Sequence, residues 1–488
     1  MKLKLSLLFI ILFLQFSCSK WMELMPPEGL TREEFWNTKE DVQSVLMGAY
    51  SAFAGMDGLL FKYGEIRGDL VKGGTNQSLD EQKIMAGNIY PDNSLCSWSQ
   101  FYKVINYCNE VILNAPLVKG KDNTFTDYQM NSYLSEAYFL RSISYFYLVR
   151  IYKDVPYTTQ PTESDNSDIY LAKTDGDTIL NRIVTDLKKY RNYAPNDYQT
   201  IEETKGRATK AAYDALLADI SLWQFDYTAC INYVQNIEAT NKYDLMPNDK
   251  WYNIYYPGNS LESIFELQYN NSLLQKNSTY DLTQHDAYNY RPSDKIVTLF
   301  TQTDKDPEVI RGLGSIAKYG ENDYIIWKYV GTRPDGRSVR PFNVLNSCSW
   351  IIYRYADVLL MKAEALSQLG RYTEALQVLN QIRFRADVSP LSLANSPIVY
   401  EDAILNERAL ELAFEGKRWF DLMRMGRRNN YTRKLDFINI ILSNVPSTQK
   451  RILSIKLANP LGWYMPIAKQ ELERNINLVQ NPYYLESQ

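Results

Sequence analysis

The feature that most constrains the fold of this chain is a helical periodicity that returns again and again along it. Apolar residues recur three and four positions apart, which is the spacing of one face of an α-helix. Clusters of Asn, Gly, Pro and Asp interrupt these stretches and mark their ends. The pattern predicts helices over Lys39–Ala54, Cys96–Asn114, Gln129–Tyr152, Asp177–Tyr193, Lys205–Gln224, Tyr227–Thr240, Tyr353–Leu369, Tyr372–Ala386 and Tyr400–Met425. We therefore expect a mainly α-helical fold.

Two of the predicted helix pairs share one spacing. Segments 218–230 and 363–375 each begin with a small residue, followed by an aromatic residue nine positions later and a second small residue twelve positions later. In the second segment the small residues are Ala363 and Ala375. Small side chains at these positions let antiparallel helices approach closely, as in tetratricopeptide repeats. The segments lie 145 positions apart, so we expect a few such helix pairs separated by long insertions.

The two longest insertions, Gly55–Leu95 and Leu245–Ser349, are rich in Gly, Asn, Asp, Tyr and Pro. β-branched and aromatic residues cluster at Ser263–Gln268 and Tyr324–Tyr329, which predicts short strands there. Long loops in a compact fold are usually functional, so we expect ligand-binding residues in these insertions.

The N-terminus has the pattern of a signal peptide. Met1–Ser17 contains two lysines followed by the apolar run Leu5–Leu14, which is too short to span a membrane as a helix. Cys18 follows directly, and this position predicts lipid attachment at its thiol after cleavage. Gln15 occupies the place where a bacterial lipobox usually has an aliphatic residue, so ordinary secretion remains the alternative.

The charge balance argues against a nucleic-acid partner. The chain of 488 residues carries a formal net charge of −4, and loss of a leader with Lys2 and Lys4 would leave 51 basic and 57 acidic side chains. A surface of that sign repels phosphate backbones, and the sequence contains no basic stripe to offset it.

Few side chains in this sequence suit metal or cofactor chemistry. His285 is the only histidine, so a two-histidine metal site is excluded and a histidine triad would have to use this residue. The cysteines at positions 96, 108, 230 and 348 show no CxxC spacing. Their scatter indicates small buried residues, although one or two disulfides stay open. No Walker loop or GxGxxG motif is present, so we predict no cofactor and no metal.

A stripe of carboxylates raises the question of hydrolysis. Glu407, Glu411 and Glu415 recur every fourth residue, with Arg408 and Arg418 interleaved among them. Opposite charges three or four apart stabilise a helix. Hydrolysis by two carboxylates needs a facing pair across a cleft rather than a stripe. We therefore interpret this pattern as structural ion pairing and predict no catalytic residues.

Segments along almost the whole chain resemble one known family. They are Glu23–Leu30, Phe35–Thr38, Glu40–Val42, Gly48–Tyr50, Glu136–Arg141, Tyr152–Pro156, Tyr353–Ala365, Asn380–Ala386, Glu407–Leu422 and Met465–Pro482. In this order, and behind a lipoprotein-like leader, they resemble the SusD/RagB family of nutrient-binding outer-membrane lipoproteins.

The resemblance implies a mostly helical fold with four tetratricopeptide-like helix pairs and a more irregular lobe. It also implies a partner, a SusC-like TonB-dependent transporter over which the binding protein closes as a lid. The cargo would be oligosaccharides, or peptides in some branches of the family. The chain would divide into the signal peptide 1–17, an N-terminal SusD-like helical region 18–244 and a C-terminal SusD/RagB region 245–488 that includes the irregular insertion 245–349.

Aromatic side chains in or beside the two insertions are the candidates for a sugar site. Sugar rings lie with their C–H faces on aromatic planes, and their hydroxyls need polar partners at the rim. The predicted ligand-binding residues are Asp69, Asn76, Trp98, His285, Tyr288, Tyr290 and Trp327. The alternative for each aromatic residue is packing in the core, since buried aromatics are common in such loops.

These observations predict a non-enzymatic surface lipoprotein of the outer membrane that binds a nutrient, most simply an oligo- or polysaccharide, for a transporter. The alternatives are a peptide-binding member of the same family, a glycan hydrolase, and a scaffold without a small ligand. Retention of a polysaccharide without product distinguishes the first from the last two.

Overall fold

The computed structural model describes residues 32–162, 170–284, 288–301, 311–319, 323–344 and 346–485. The predicted leader Met1–Ser17, the lipid-attachment site Cys18 and the candidate ligand residue His285 lie outside these residues.

The first half of the chain is mainly helical and contains several long helices. Thr38 and Asp41 form a capping box at the start of one of them, and Thr126 and Gln129 do the same at another. The helices are α1 (Arg32–Phe35), α2 (Lys39–Ala54), α3 (Asp57–Glu65), α4 (Leu79–Met85), α5 (Ser99–Lys121), α6 (Asp127–Tyr152), α7 (Gly176–Tyr190), α8 (Ile201–Gly206), α9 (Lys210–Trp223) and α10 (Tyr227–Glu238).

The second half begins with short helices and returns to long ones after residue 354. These helices are α11 (Thr279–Thr283), α12 (Asp294–Thr301), α13 (Arg311–Ser315), α14 (Tyr355–Gln368), α15 (Tyr372–Arg385), α16 (Pro397–Glu411), α17 (Arg418–Tyr431), α18 (Lys434–Ser443), α19 (Ser447–Ala458), α20 (Lys469–Arg474) and α21 (Pro482–Leu485). Short 3₁₀ turns occupy Ser94–Cys96, Arg191–Tyr193, Asn248–Ile254, Asn271–Leu273, Phe342–Val344 and Pro460–Trp463.

The predicted helix Tyr400–Met425 is wrong, because it is two helices: α16 ends at Glu411 and α17 begins at Arg418. The predicted helix Lys205–Gln224 is also interrupted, since α8 ends at Gly206 and α9 begins at Lys210. Phe414 and Gly416 between α16 and α17 have φ values of 68° and 71°, which lie in the left-handed region and cannot continue a right-handed helix. The break brings Gly416 against Gly64 of α3, where a Cβ on Gly64 would lie 1.9 Å from the Gly416 carbonyl oxygen.

The strands are short and pair two by two. They are β1 (Val71–Gly73), β2 (Val155–Pro156), β3 (Lys173–Thr174), β4 (Ser263–Leu267), β5 (Tyr290–Pro292), β6 (Ile316–Tyr319), β7 (Asp323–Ile326) and β8 (Trp350–Arg354). The antiparallel pairs are β1–β5, β2–β3, β4–β8 and β6–β7. The strands predicted in the second insertion correspond to β4 and β7, and the β1–β5 pair joins the two insertions to each other.

The predicted helix pairs are confirmed as α9 with α10 and α14 with α15. Ala218, Cys230, Ala363 and Ala375 at their crossings are all fully buried. Helix α10 also packs on α14, so the two pairs are neighbours in space. Buried side chains from both predicted regions belong to one core cluster, and the division at residue 244 stays a prediction. The mainly α-helical fold class is confirmed.

The four cysteines among the described residues are buried and unpaired. Burial raises the pKa of the Cys108 thiol to about 12. The expectation of small buried residues is therefore confirmed for Cys96, Cys108, Cys230 and Cys348.

Within the described part of the chain, no single helix is long and apolar enough to cross a membrane. The bent pair formed by Lys39–Ala54 and Asp57–Glu65 meets that criterion by length and composition alone, and both helices contribute buried residues to the core.

Candidate functional site

A cavity of about 760 Å³ opens where the start of α5 meets the C-terminal segment. We call it the Trp98 cavity. Its walls come from three places: the first turn of α5, the segment around β2 and β3, and α20 with the residues after it. The described residues that line it are Trp98, Ser99, Tyr102, Pro156, Thr158, Gln160, Pro161, Thr162, Leu171, Glu471, Arg474, Asn475 and Leu478.

One wall of the Trp98 cavity is aromatic. The Trp98 ring stands edge-on to Tyr102 and Tyr152, at centroid distances of 5.7 and 5.3 Å. Trp98 itself is only 4% exposed, whereas Tyr102 is half-buried. The Tyr102 hydroxyl donates a hydrogen bond to the Pro156 carbonyl oxygen, and burial raises its pKa well above the ordinary value, so it stays neutral. Tyr102 therefore provides most of the accessible aromatic surface.

The opposite wall is polar. The Thr158 hydroxyl donates to the Gln160 carbonyl over 3.0 Å, and the Asn475 amide donates to the Leu171 carbonyl over 2.9 Å, which holds the rim in place. Gln160 and Arg474 are exposed, so their side chains are available to a ligand. Aromatic edges opposite amide, hydroxyl and guanidinium groups suit a sugar, whose rings are apolar on their faces and polar at their edges.

The described lining of the Trp98 cavity does not include a pair of carboxylates. Among its described lining residues Glu471 is the only acid. Hydrolysis of a glycosidic bond needs two acidic side chains on either side of the scissile bond. The described side chains also include no group of three or more His, Cys, Asp or Glu that could hold a metal ion.

The predicted site residues do not come together in one place. Trp98 lies in the wall of the cavity. Asn76, Tyr288 and Tyr290 meet at the end of the β1–β5 ribbon, where the Asn76 backbone N–H donates to the Tyr288 carbonyl over 3.1 Å. Trp327 lies apart from both, in a small cluster of four buried residues.

Several of these residues are committed to the core. Asp69 is fully buried, and its carboxylate accepts from the Arg418 guanidinium over 2.6 and 3.0 Å and pairs with Lys295, so it does not form a rim. Tyr290 and Trp327 are at most 1% exposed. A ligand-binding role for the predicted residues stays a prediction, and Asn76 and Trp98 are the ones whose surroundings leave room for it.

The ribbon residue Tyr288 is partly shielded by a cation. The Arg291 guanidinium carbon lies 3.8 Å from the centre of its ring, and only 8% of Tyr288 is exposed. A sugar stacking on this face would first have to displace the arginine.

The carboxylates of the predicted stripe are all buried in ion pairs. Glu407 and Glu411 lie on α16, whereas Glu415 falls in the break before α17. Their partners come from other elements rather than from the same helix: Arg311, Lys328, Arg354, Arg383 and Arg385. Burial alone would raise the pKa of Glu411, but the guanidinium groups around it hold that pKa well below its ordinary value. Structural pairing is thus confirmed.

The partners expected for the interleaved arginines are wrong. Arg408 pairs with Asp357 at 3.0 Å and Asp421 at 2.8 Å, and Arg418 pairs with Asp69. The helix ends at Glu411, before a three-residue spacing can bring Arg418 beside Glu415, so contacts between elements decide the pairing instead.

Sequence reasoning missed Tyr102, Gln160 and Arg474 as members of the cavity. They come from segments more than fifty residues apart. Tyr102 and Gln160 lie outside the segments that resemble the family, and Arg474 falls within Met465–Pro482. The one available signal was Trp98, which lies four residues before Tyr102 at the start of a helix.

The chain is similar to known proteins over almost its whole length. Residues 212–484 match the sequence profile of the SusD family, and residues 20–222 match a second profile described as starch-binding and associating with the outer membrane. A relative from Formosa agariphila, SusD-like protein P38, is 26% identical over 460 residues, which is 84% of this chain and 88% of the relative.

Solved structures share the fold. A SusD superfamily protein from Bacteroides vulgatus has a TM-score of 0.76 at 22% identity, covering 92% of this chain and all of that chain. Surface glycan-binding protein A from Bacteroides thetaiotaomicron, solved in complex with laminarihexaose, has a TM-score of 0.72 at 22% identity, covering 91% of this chain and all of that one.

Proposed function

Because the chain belongs to the SusD family, we propose that it is a lipid-anchored protein of the outer-membrane surface that binds a glycan and passes it to a TonB-dependent transporter. The Trp98 cavity is the binding site in this proposal, and binding occurs without catalysis. The observation that carries it is the composition of that cavity, whose described lining combines aromatic side chains with neutral polar groups, one arginine and one glutamate.

Size and chemistry both support a sugar in the Trp98 cavity. Small-molecule pockets usually measure about 300–1,000 Å³, and this one measures about 760 Å³. Tyr102 supplies a face for a sugar ring, and Gln160 and Arg474 supply donors for its hydroxyls. Each such bond contributes only about 1 kcal/mol in the presence of water, so a few of them give a modest affinity. Modest affinity suits a protein that must release its cargo, because residence time grows with affinity.

The relatives support the class of cargo and the location. Surface glycan-binding protein A, which shares the fold, carries an oligosaccharide in its crystal structure. The second matching profile is described as associating with the outer membrane, which agrees with a lipid anchor at Cys18. Family membership supports the transporter partner, which the resemblance to the SusD family implies.

Gel retardation in native gels that contain single polysaccharides tests the proposal. We expect at least one glycan to retard the mature protein without releasing any product. Tyr102→Leu and Arg474→Ala should each weaken that retention about tenfold, which corresponds to about 1.4 kcal/mol. Arg451→Ala is the matched control, because Arg451 is an exposed arginine outside the cavity.

The other outcomes are informative. Reducing sugars released from a polysaccharide would overturn the non-enzymatic role. Retention of peptides but of no glycan would point to the peptide-binding alternative. Retention of neither would leave a scaffold, and equal effects of all three variants would remove the Trp98 cavity from the proposal.

A further inference from the structure

A second cavity, of about 460 Å³, lies beside the segment 156–160, which also lines the Trp98 cavity. We call it the Tyr157 cavity. The described residues that line it are Ile112, Tyr138, Arg141, Tyr157, Thr159, Gln160, Arg182, Thr185 and Asp186. Its walls therefore come from α5, α6, α7 and the segment after β2.

The two cavities share one wall. Pro156, Thr158 and Gln160 line the Trp98 cavity, whereas Tyr157, Thr159 and again Gln160 line the Tyr157 cavity. Side chains of an extended segment point alternately to opposite sides, so residues 156–160 form a partition with one face in each cavity. Gln160 at its end reaches both, which makes the cavities neighbours across a thin wall.

The Tyr157 cavity is also lined by tyrosine. Tyr138 stacks on Tyr190 with ring centroids 3.7 Å apart and planes 13° from parallel. The Arg182 guanidinium carbon lies 5.0 Å from the centre of the Tyr157 ring. Tyr138 and Tyr157 are both half-buried, so their outer edges are open to the cavity.

The charges in this cavity do not cancel. Arg141 is buried and committed, because it pairs with Asp186 at 2.9 Å and donates to the Asn109 side chain over 2.9 Å. The Asp186 carboxylate is thereby neutralised. Arg182 is exposed and forms no ion pair with any residue between 32 and 485 that the structure describes. Lys189, 4.9 Å from the centre of the Tyr190 ring, adds a further positive charge nearby.

We propose that the Tyr157 cavity is a second glycan subsite that takes an anionic sugar residue, with Arg182 as the partner of the anion. This inference rests on the glycan-binding function proposed above and extends it to the class of glycan. The planar guanidinium forms two parallel hydrogen bonds to a carboxylate or a sulfate ester. Tyr190 covers one face of Tyr138, and the Arg141 guanidinium lies over the same ring. The Arg182 guanidinium lies over the Tyr157 ring. The outer edges of the Tyr138 and Tyr157 rings therefore provide apolar contact for the sugar ring that carries the anion. On a chain with a net charge of −4, an acidic polysaccharide needs such a local cation.

The test measures retention of the mature protein by polysaccharides that differ in charge. Laminarin and dextran are the neutral probes, polygalacturonate carries carboxylates, and carrageenan carries sulfate esters. We expect an acidic polymer to be retained most tightly, and the two acidic probes identify which anion is preferred. Its affinity should fall as NaCl is raised from about 0.05 to about 0.5 M, since salt screens exposed charges.

Arg182→Gln is the decisive variant, and Arg451→Gln is its control because both remove one exposed positive charge. We expect Arg182→Gln to weaken retention by the acidic polymer about tenfold or more and to leave neutral polymers unchanged. Arg451→Gln should change retention by the acidic polymer and by the neutral polymers by less than about twofold. Melting temperatures of both variants should equal that of the parent protein.

The possible failures are distinguishable. If a neutral glycan is retained most tightly, or if the two variants have equal effects, the anionic subsite is wrong and the proposed glycan-binding function stands. If no polymer is retained, both proposals are wrong.

Discussion

At the scale of single residues, this protein buries many charged side chains and pairs many of them with opposite charges. Arg354 is fully buried at the end of β8 and contacts three carboxylates, those of Glu262, Glu411 and Glu415. Such a residue is costly to desolvate, but removing one partner from a buried cluster costs still more, because the remaining charges are left unpaired. These clusters occupy the core of the second half, where the sequence alone predicts pairs on a helix surface.

Arg354→Met should therefore destabilise the protein by about 3–5 kcal/mol. The reason is that Glu262, Glu411 and Glu415 would lose their shared guanidinium in a water-free environment. Urea denaturation followed by circular dichroism measures the change. Arg371→Met is the control, because Arg371 pairs only with exposed Glu374 and its loss should leave stability almost unchanged. Equal midpoints for the two variants would contradict a structural role for the cluster.

The buried carboxyl group of Glu65 predicts that the stability of the protein depends on pH. Burial raises the pKa of this carboxyl to about 8, despite hydrogen bonds from the backbone N–H groups of Gly416 and Lys417. In the unfolded chain its pKa is near the ordinary value of 4.5, so the folded state holds an extra proton between about pH 4.5 and 8. Stability contributed by this group is therefore lost as pH rises through that window.

Glu65→Gln should remove that dependence. As pH rises from about 5 to about 8, the free energy of unfolding of the parent protein should fall relative to that of the variant by at least about 1 kcal/mol. The reason is that one pKa unit corresponds to about 1.4 kcal/mol. Urea titrations at several pH values across this window provide the measurement. Parallel pH profiles for the two proteins would show that Glu65 is ionised in the fold.

At the scale of elements, close approaches between backbones decide how the helices pack. Helix α3 carries Gly64 against Gly416 in the break between α16 and α17, and no side chain fits between them. This break ends α16 at Glu411, and Glu415 within the break pairs with Arg354 and Lys328. The close contact between Gly64 and Gly416 therefore joins the first insertion to the segment that carries Glu415 into the buried ion-pair cluster.

Gly64→Ala should destabilise the fold strongly, by roughly 1–3 kcal/mol or more, because the added methyl group meets rigid backbone rather than a movable side chain. Gly48→Ala is the matched control, and its expected effect on stability has the opposite sign. Gly48 lies inside α2, and no atom lies within 4 Å of the place that its added methyl group would take, so alanine should stabilise that helix by about 0.5–1 kcal/mol. Thermal and urea denaturation of both variants measure these changes in stability. A Gly64→Ala variant as stable as the parent protein would contradict the close contact with Gly416.

At the scale of the whole molecule, one core joins both halves, and both candidate sugar cavities lie on the N-terminal helical part. Only the Trp98 cavity also has a described wall from the C-terminal segment. Helix α20 and the residues after it close the Trp98 cavity, so the last part of the chain is needed for the site that the first part begins. The proposed anchor at Cys18 lies only fourteen residues before α1. Lipidation at Cys18 would hold the binding protein close to the membrane surface.

Cys18→Ala should release the protein from the membrane. Acyl chains contribute about 0.8 kcal/mol per buried CH₂ group, so the loss of several chains removes the anchor. We expect the variant to lose metabolic palmitate label and to appear in the soluble fraction. Ser17→Ala, which leaves the thiol in place, serves as the control. Persistence of the label in Cys18→Ala would place the lipid elsewhere.

The sequence by itself determined most of the long helices, the two helix pairs, two short strands of the second insertion and the family. These features follow from local periodicity or from ordered motifs, and local patterns depend on neighbours within about ten residues. Only the tertiary structure decided that Asp69 is an ion-pair partner of Arg418, that the carboxylate helix breaks after Glu411, and that Tyr102 meets Arg474 across a cavity. These outcomes depend on contacts between residues tens to hundreds of positions apart, where burial and backbone approach outweigh local preference.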